Sequence, residues 1–341
     1  MILALVAGSL AVFAASSATT AIVLRLLRRW EILDHPNARS SHVRATPRGG
    51  GLAVVPVTLA AWLAFAAVSG TYAEIVPVVL GAFLLAVLSW IDDVRDLPAS
   101  LRFGAQVVVV GVVLAVAPAT APYFGGWLPG SLDAAAAGLL WLWFINAFNF
   151  MDGIDGLAGT ETACVGIGVA LVAALLGGES PLLVVLGATI AAAALGFLPW
   201  NWQPARLFLG DVGSVALGFL LGWLLLRLAA EGQWAAAAIL PLYYFCDATV
   251  TLIRRILRGE KPWQAHREHY YQRAVACGLS HAAVVRAVML ANTALIVLAV
   301  MAASGRAIAA IAGACLVVAS LLMFLASGGR RHQQQPSPRN E

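Results

Sequence analysis

The stretch from residue 134 to residue 158 reads AAAAGLLWLWFINAFNFMDGIDGLA, an apolar run that ends in a row of amides and carboxylates. Its apolar part has nearly the length of a membrane helix, which needs about 20 mostly apolar residues. Similar runs recur from Met1 to Leu325, and the chain is 61% hydrophobic and only 11% charged. About one quarter of the residues in a soluble domain are charged. We therefore predict an all-α, polytopic integral membrane protein.

Eleven membrane passes are predicted along the chain, and residues 327–341 are predicted to form a polar, disordered cytoplasmic tail. The positive charges Arg25, Arg28 and Arg29 follow the first apolar run, so we expect this run to be a membrane pass and not a cleaved signal peptide. We predict one membrane domain over residues 1–326. The passes are 3–24, 50–69, 75–91, 103–118, 134–151, 160–177, 181–198, 213–230, 235–252, 284–303 and 307–326.

Positive charge is distributed unequally between the two sides of the predicted bundle. Of the 21 Lys and Arg residues, 18 lie in the loops after odd-numbered passes or in the C-terminal tail. Cytoplasmic loops carry an excess of Lys and Arg, so the odd loops are predicted to be cytoplasmic. The net charge of +4 therefore reflects sidedness, and no nucleic-acid partner is expected. All six histidines lie on or next to the same loops.

The polar end of the fifth pass carries Asn146, Asn149, Asp152 and Asp155 at every third position. On a continuing helix these residues would form one polar stripe. Oxygen ligands of this kind suit Mg²⁺ or Mn²⁺ better than zinc. The alternative is a helix end frayed by Gly153 and Gly156, in which case the desolvated polar groups would need other partners.

Two further acidic motifs lie on the same side. Asp92 and Asp93 end the third pass and would point about 100° apart on a helix, either toward a metal-associated function or as an interfacial pair with Arg95 and Arg102. Gly210-Asp211-Val-Gly213-Ser214 opens the eighth pass. Its first-turn N–H groups, with Ser214 as a cap, favour phosphate binding, and an ordinary capped helix is the alternative.

Two basic segments complete the set. His266-Arg267-Glu268-His269 would place both histidines on one helix face, which suits a diphosphate; a metal site or a solvated face are the alternatives. The first loop, from Asp34 to Gly51, includes Arg48 and a glycine run. It is predicted either to clamp a lipid phosphate or simply to supply cytoplasmic positive charge.

In this order, the five motifs resemble those of the polyprenyl-phosphate N-acetylhexosamine-1-phosphate transferases, a family that includes phospho-N-acetylmuramoyl-pentapeptide transferase and the initiators of O-antigen and teichoic acid synthesis. The resemblance spans residues 34–273. It implies an Mg²⁺-dependent (or Mn²⁺-dependent) phosphotransferase of the bacterial inner membrane. This enzyme would transfer an N-acetylhexosamine 1-phosphate from a UDP-sugar to polyprenyl (undecaprenyl) phosphate, release UMP and so begin a cell-surface polysaccharide.

The same resemblance implies roles for individual residues. Asp211 and Asn149 would bind the metal, and Asp92 and Asp93 would handle the lipid phosphate. We predict catalytic roles for Asp92, Asp93, Asp152, His266 and His269, and substrate-binding roles for Asn146, Asp155, Arg267, Gly210, Ser214 and Arg48. The His-Arg-Glu-His sequence is closest to the O-antigen-initiating members, whose sugars include 6-deoxy N-acetylhexosamines.

The competing hypothesis is a membrane transporter or lipid flippase. Such a pathway should have ionisable residues near the middle of the membrane and on both sides. Only Asp247, at the inner end of the ninth pass, fits this expectation. The sequence also leaves open whether the protein forms a homodimer.

Overall fold

The computed structural model describes residues 2–34, 45–117, 121–175, 181–261 and 266–332, with residues 329–332 described by their backbone. This part of the chain is helical apart from short connections and one small antiparallel ribbon. The ribbon pairs β1 (Leu33–Asp34) with β2 (Thr46–Pro47). The helices are α1 (Ile2–Arg29), α2 (Gly51–Ser69), α3 (Tyr72–Arg95), α4 (Ala99–Val116), α5 (Gly130–Phe150), α6 (Leu157–Leu175), α7 (Pro181–Asn201), α8 (Asp211–Leu228), α9 (Trp234–Ile239), α10 (Leu242–Leu257), α11 (Tyr270–Ala276), α12 (His281–Ala303) and α13 (Ala307–His332).

Within the described ranges, ten helical segments are long and apolar enough to cross a membrane, judged by length and composition. Large apolar side chains cover the outside of the bundle, such as Leu139, Leu290 and Ile308, which are 68%, 74% and 88% exposed. A surface this apolar is expected to face lipid. The predicted all-α, polytopic membrane architecture is therefore confirmed.

The predicted ninth pass is not one continuous helix. A π-helical turn at Ala229–Gln233, with Gly232 at φ +84°, follows α8, and the return is divided into α9 and α10 around Leu240 and Pro241. Proline has no N–H to donate and its ring clashes with the preceding turn, which ends α9 here. The chain still leaves the end of the bundle where α8 begins and returns to it at the end of α10.

Helix α8 forms the centre of the bundle. Almost every residue from Val212 to Leu228 is buried, as expected for a helix that is apolar on all sides. It packs against α2, α3, α5, α6 and α7. Trp141 of α5 stacks on Phe219 with ring centroids 4.6 Å apart, and its indole N–H donates to the Phe219 carbonyl. This central position fixes where Asp211, the first residue of α8, meets the other motifs.

The last helix extends further than predicted, so any tail begins later than residue 327. Helix α13 continues to His332, so the residues from 327 to 332 are helical. The sequence from 333 to 341 lies outside the described residues, as do His35 to Arg44 of the first loop.

Candidate active site

The second half of the first loop is fixed to the segment that leads into α8. The N–H groups of Gly49 and Gly50 both donate to the Phe208 carbonyl, at 3.1 and 2.7 Å, and the Phe208 N–H donates to Pro47. Helices α2 and α8 are in contact at Gly51, since a Cβ at this position would lie 2.2 Å from the Gly213 nitrogen. These contacts hold Arg48 directly beside Asp211.

Arg48 bridges two carboxylates from different helices. Its Nη2 lies 2.6 Å from Asp211 Oδ1 and 2.9 Å from Asp93 Oδ1. Although burial opposes it, the charges of Asp211 and Asp93 raise the pKa of Arg48, so the guanidinium remains charged. Asp93 also accepts hydrogen bonds from the backbone N–H groups of Asp211 and Val212, at 3.3 and 3.2 Å.

Asp92 faces a different set of partners from Asp93, as expected for adjacent residues on a helix. Arg102 Nη1 lies 2.7 Å from Asp92 Oδ2 and 3.6 Å from Asp211 Oδ2. The backbone N–H of Leu97 donates to the other oxygen of Asp92 at 2.7 Å. The predicted pairing of Asp92 with Arg102 is therefore present, and it belongs to the same charge cluster as Asp211.

A cavity of about 520 Å³ opens onto this cluster. Asp92, Arg102, Asn146, Asn149 and Asp211 are among the residues that line it. An apolar groove of about 450 Å³ shares Phe103, Asn146 and Phe150 with the cavity and continues along Leu139, Leu142, Trp143 and Leu252. The polar cavity and the apolar groove are therefore adjacent to each other.

The start of α8 differs from the sequence prediction. Gly210, at φ +75°, precedes the helix without a side-chain cap, and Ser214 does not cap the helix but donates to Asn149 Oδ1 at 2.6 Å. The first-turn N–H groups already have acceptors in Asp93 and the Gly210 carbonyl. Gly210 and Ser214 therefore shape the cluster and orient Asn149, and the prediction that this first turn presents free N–H groups is wrong.

The predicted polar stripe is interrupted because α5 ends at Phe150. Asn146 and Asn149 lie on the helix, where Asn146 donates to Gln106 at 2.7 Å. Asp152 and Asp155 lie in the loop that follows, and the reversal is completed by Gly156 at φ +82°. The predicted continuous helix is therefore wrong, although the loop keeps Asp152 near the cluster. Burial, and then the charge of Asp211, raise the pKa of Asp152 to about 7.

Asp155 has partners away from the cavity. Its Oδ2 accepts from the Ala205 N–H at 3.0 Å, and its Oδ1 lies 3.3 Å from His281 Nδ1. The neighbouring Gly156 N–H donates to Asn201. Asp155 and Gly156 thus tie the loop after α5 to the end of α7, to the segment that follows it and to the start of α12. The contacts of Asp155 give it a positioning role instead of the predicted role in substrate binding.

The histidine loop adjoins the same site through Phe150. Its residues 266–269 are not helical, because α11 begins only at Tyr270, so the predicted shared helix face is wrong. The two imidazole rings nevertheless lie 4.9 Å apart, and His269 stacks on Phe150 with centroids 6.4 Å apart. His269 is only 3% exposed, whereas His266 is half-buried and Arg267 is exposed.

The two histidines differ in charge environment. Burial, followed by the neighbouring His269 and Arg255, lowers the pKa of His266 to about 4. A neutral His266 is therefore expected at physiological pH. Arg255 and Arg258 form ion pairs with Glu260 and Glu268, which lie on either side of His266 in the chain.

The oxygen donors of the cluster fit a magnesium ion that is shared with a substrate. Among the residues with described positions, no three His, Cys, Asp or Glu side chains form a metal site by themselves. Mg²⁺ commonly uses one or two carboxylates and completes its shell with water and substrate phosphates. Asp211 and Asn149, which line one cavity, supply oxygen ligands of this type.

Several site residues escaped the sequence analysis. From the sequence, Arg102 is predicted only as a partner of Asp92, and neither Gln106 nor His281 has a predicted role. Asp247 fits only the competing transport hypothesis. Polar residues such as Gln106 in apolar helices were the available signal, because buried polar groups need partners.

Known proteins are similar to this chain over most of its length. A model of the Glycosyl transferase family 4 matches residues 75–229. A probable undecaprenyl-phosphate N-acetylglucosaminyl 1-phosphate transferase of Bacillus subtilis is 32% identical, with 77% of this chain and 75% of the relative covered. A decaprenyl-phosphate N-acetylglucosaminephosphotransferase of Mycolicibacterium smegmatis is 29% identical, with 74% and 71% covered.

A phospho-N-acetylmuramoyl-pentapeptide-transferase of Picosynechococcus is also similar, with 32% identity over 69% of this chain and 66% of the relative. The family match includes α3, α5 and α8, which carry Asp92, Asp93, Asn149 and Asp211. The chain therefore belongs to the family of polyprenyl-phosphate N-acetylhexosamine-1-phosphate transferases.

Proposed function

We propose that the protein transfers an N-acetylhexosamine 1-phosphate from a UDP-sugar to polyprenyl phosphate. An oxygen of the lipid phosphate attacks the phosphorus attached to the sugar, the bond from that phosphorus to the oxygen of UMP breaks, and UMP leaves. The products are UMP and a polyprenyl-diphospho-sugar. The observation that carries the proposal is the meeting of Asp92, Asp93 and Asp211 with Arg48 and Arg102 beside one cavity.

The lipid substrate is assigned to the cavity and the apolar groove that adjoins it. Arg102, whose side chain is 40% exposed, can bind a phosphate oxygen while the prenyl chain follows the groove between α4, α5 and α10. Charge-assisted hydrogen bonds from Arg to phosphate are among the stronger polar contacts. A phosphate monoester is already largely ionised near neutral pH, so Asp92 and Asp93 orient the cationic groups and need not act as bases.

The diphosphate of the donor is assigned to the side of the cluster formed by Arg48, Asp211 and Asn149. These last two residues would hold Mg²⁺ (or Mn²⁺). When bound, the ion acts as a Lewis acid and neutralises charge that develops on the diphosphate. Arg48 remains charged and can bind oxygens of the same phosphates. Asp93 and the Gly49–Gly51 segment keep the Arg48 side chain in place.

The proposed donor sugar is supported by the relatives, and the proposed sidedness by the distribution of charge. The relatives named above are N-acetylglucosaminyl 1-phosphate, N-acetylglucosaminephosphate and phospho-N-acetylmuramoyl-pentapeptide transferases by name. The His-Arg-Glu-His sequence at 266–269 resembles that of the O-antigen initiators. We infer that UDP-N-acetylglucosamine or a 6-deoxy analogue is the donor. The excess of Lys and Arg on the odd loops favours a cytoplasmic site at the bacterial inner membrane. The transporter or flippase hypothesis is not supported.

Release of UMP from a panel of UDP-sugars tests the proposal. The purified protein is assayed with undecaprenyl phosphate and Mg²⁺, and Asp211→Asn serves as the inactive reference. We expect UMP to form with at least one UDP-N-acetylhexosamine and only when the lipid phosphate is present. UMP release that does not depend on the lipid, or that is equal in Asp211→Asn, would count against the proposed transfer.

A further inference from the structure

Asp247 is a fully buried carboxylate on α10 that accounts for the local arrangement of the histidine loop. Its Oδ1 accepts from the Tyr270 N–H at 2.9 Å, and its Oδ2 lies 3.4 Å from the Tyr271 nitrogen. The hydroxyls of Thr251 and Tyr243 donate to the same carboxylate, at 3.3 and 3.4 Å. The residue is 0% exposed, so these donors replace water around its two oxygens.

His269 is the remaining partner of this carboxylate. Its Nδ1 lies 3.3 Å from Asp247 Oδ1. A carboxylate oxygen can only accept, so the proton of this hydrogen bond must be on Nδ1 of His269. The hydrogen bond made by one ring nitrogen decides which nitrogen carries the proton in a neutral imidazole. Nε2 of His269 is then the nitrogen without a proton in the neutral ring.

His266 has the opposite arrangement. Its Nδ1 accepts the backbone N–H of Glu268 at 3.2 Å, so this nitrogen cannot carry a proton. The neutral ring of His266 therefore carries its proton on Nε2. The two imidazoles, with centroids 4.9 Å apart, are in this way fixed as opposite tautomers.

We propose that Asp247 is a positioning residue which holds the start of α11, fixes the proton of His269 on Nδ1, and thereby sets the orientation in which His266 meets the substrate. This inference rests on the proposed function for its catalytic consequence. Asp247 reaches the site through His269, which stacks on Phe150 at the edge of the cavity. The partners of both Asp247 oxygens thus belong to α10, the histidine loop and the start of α11, although the residue fits a transport pathway in the sequence.

Histidine nitrogen chemical shifts test the tautomers without any turnover. The protein is labelled with ¹⁵N-histidine, and the signals are assigned by comparison with His266→Gln and His269→Gln. We expect the protonated nitrogen to be Nδ1 in His269 and Nε2 in His266. Equal tautomers in the two rings, or a proton on Nε2 of neutral His269, would overturn the proposal.

Asp247→Asn tests the functional consequence. The asparagine amide can donate to Nδ1 of His269 and so favours a proton on Nε2. We expect this change of tautomer together with a loss of transfer activity of about 10- to 100-fold. Asp247→Glu, which keeps a carboxylate, should restore part of the activity and the original nitrogen shifts. An active Asp247→Asn protein with an altered His269 signal would contradict the positioning role.

Asp133→Asn is the matched control. Asp133 is another buried carboxylate that accepts two backbone N–H groups, from Tyr123 and Phe124 at 2.9 and 3.0 Å. It is at the opposite end of α5 from Asn149, so its substitution should change neither activity nor the histidine signals. If the tautomers are as expected but no UDP-sugar is turned over, the proposed function fails and the positioning geometry stands.

Discussion

Arg48 Nη2 lies 2.6 Å from Asp211 Oδ1, although the two residues are 163 positions apart in the chain. The contact joins the first loop to the first residue of the central helix. Through Asp93 it also includes the end of α3. The site is therefore assembled at the helix ends, while the apolar helices behind it supply a fixed frame.

Loss of the Arg48 guanidinium should impair transfer more strongly than loss of charge elsewhere. We expect Arg48→Ala to lower kcat/KM on the order of 100-fold, because a preorganised donor to phosphate oxygens is removed. Arg48→Lys should recover only part of this loss, since Lys lacks the planar fork of Arg. Arg25→Ala, which removes an exposed arginine of α1, is the control for general charge effects. Equal activity of Arg48→Ala and Arg25→Ala would contradict the assignment.

A methyl group at Gly51 should disturb the site through the backbone. A Cβ at Gly51 would lie 2.2 and 2.3 Å from the nitrogen and Cα of Gly213, so α2 and α8 must move apart. We expect Gly51→Ala to lose activity by about tenfold or more, as measured by UMP release. Gly104→Ala, in α4 with no atom within 4 Å of the added Cβ, should keep full activity. The reverse order of effects would refute the proposed close contact.

The raised pKa of Asp152 predicts a specific dependence of stability on pH. The unfolded chain ionises this residue near pH 4, whereas the folded protein keeps the proton up to about pH 7. The stabilisation is complete below pH 4 and is lost as the pH rises toward 7, with a slope of at most about 1.4 kcal/mol per pH unit. Asp152→Asn should lack this component in unfolding experiments from pH 4 to 8. Identical pH profiles for both proteins would show that the pKa is not raised.

A buried pair between α6 and α12 predicts a stability effect at a distance from the site. Asn292 Nδ2 donates to Glu161 Oε2 at 2.6 Å, and both side chains are almost completely buried. Asn292→Leu should lower the free energy of unfolding by about 1–3 kcal/mol, because the carboxyl group loses its partner. The double variant with Glu161→Leu should be more stable than Asn292→Leu alone. If the double variant is the less stable protein, the two residues do not act as a pair.

The helical architecture was predictable because hydrophobicity along the chain determines which segments enter the membrane. The run at 134–151 became α5, and the charge asymmetry indicated which helix ends carry the site. The break at Leu240 and Pro241 is not predictable in this way, because a single proline hardly changes the mean hydropathy of a pass. The tail was also predicted to begin too early, since Ser327 still continues α13.

The motifs were predictable as candidates, but their partners were not. Asp155 and Asp152 look equivalent in the sequence, yet only Asp152 is close to the charge of Asp211, while Asp155 binds His281 and Ala205. Likewise, His269 proved to be buried against Asp247. Such pairings are set by tertiary contacts between distant segments, which spacing along one helix cannot reveal.

The most direct test of the central claim is the stoichiometry of transfer in wild type and Asp211→Asn. UMP and polyprenyl-diphospho-sugar are quantified in the same reaction, with Mg²⁺ and with a chelator. The account predicts one UMP for each lipid product in the wild type, and neither product in Asp211→Asn or after chelation. Undiminished formation of the lipid product by Asp211→Asn would contradict the account, since the cluster around Asp211 would then not be where the phosphoryl group is transferred.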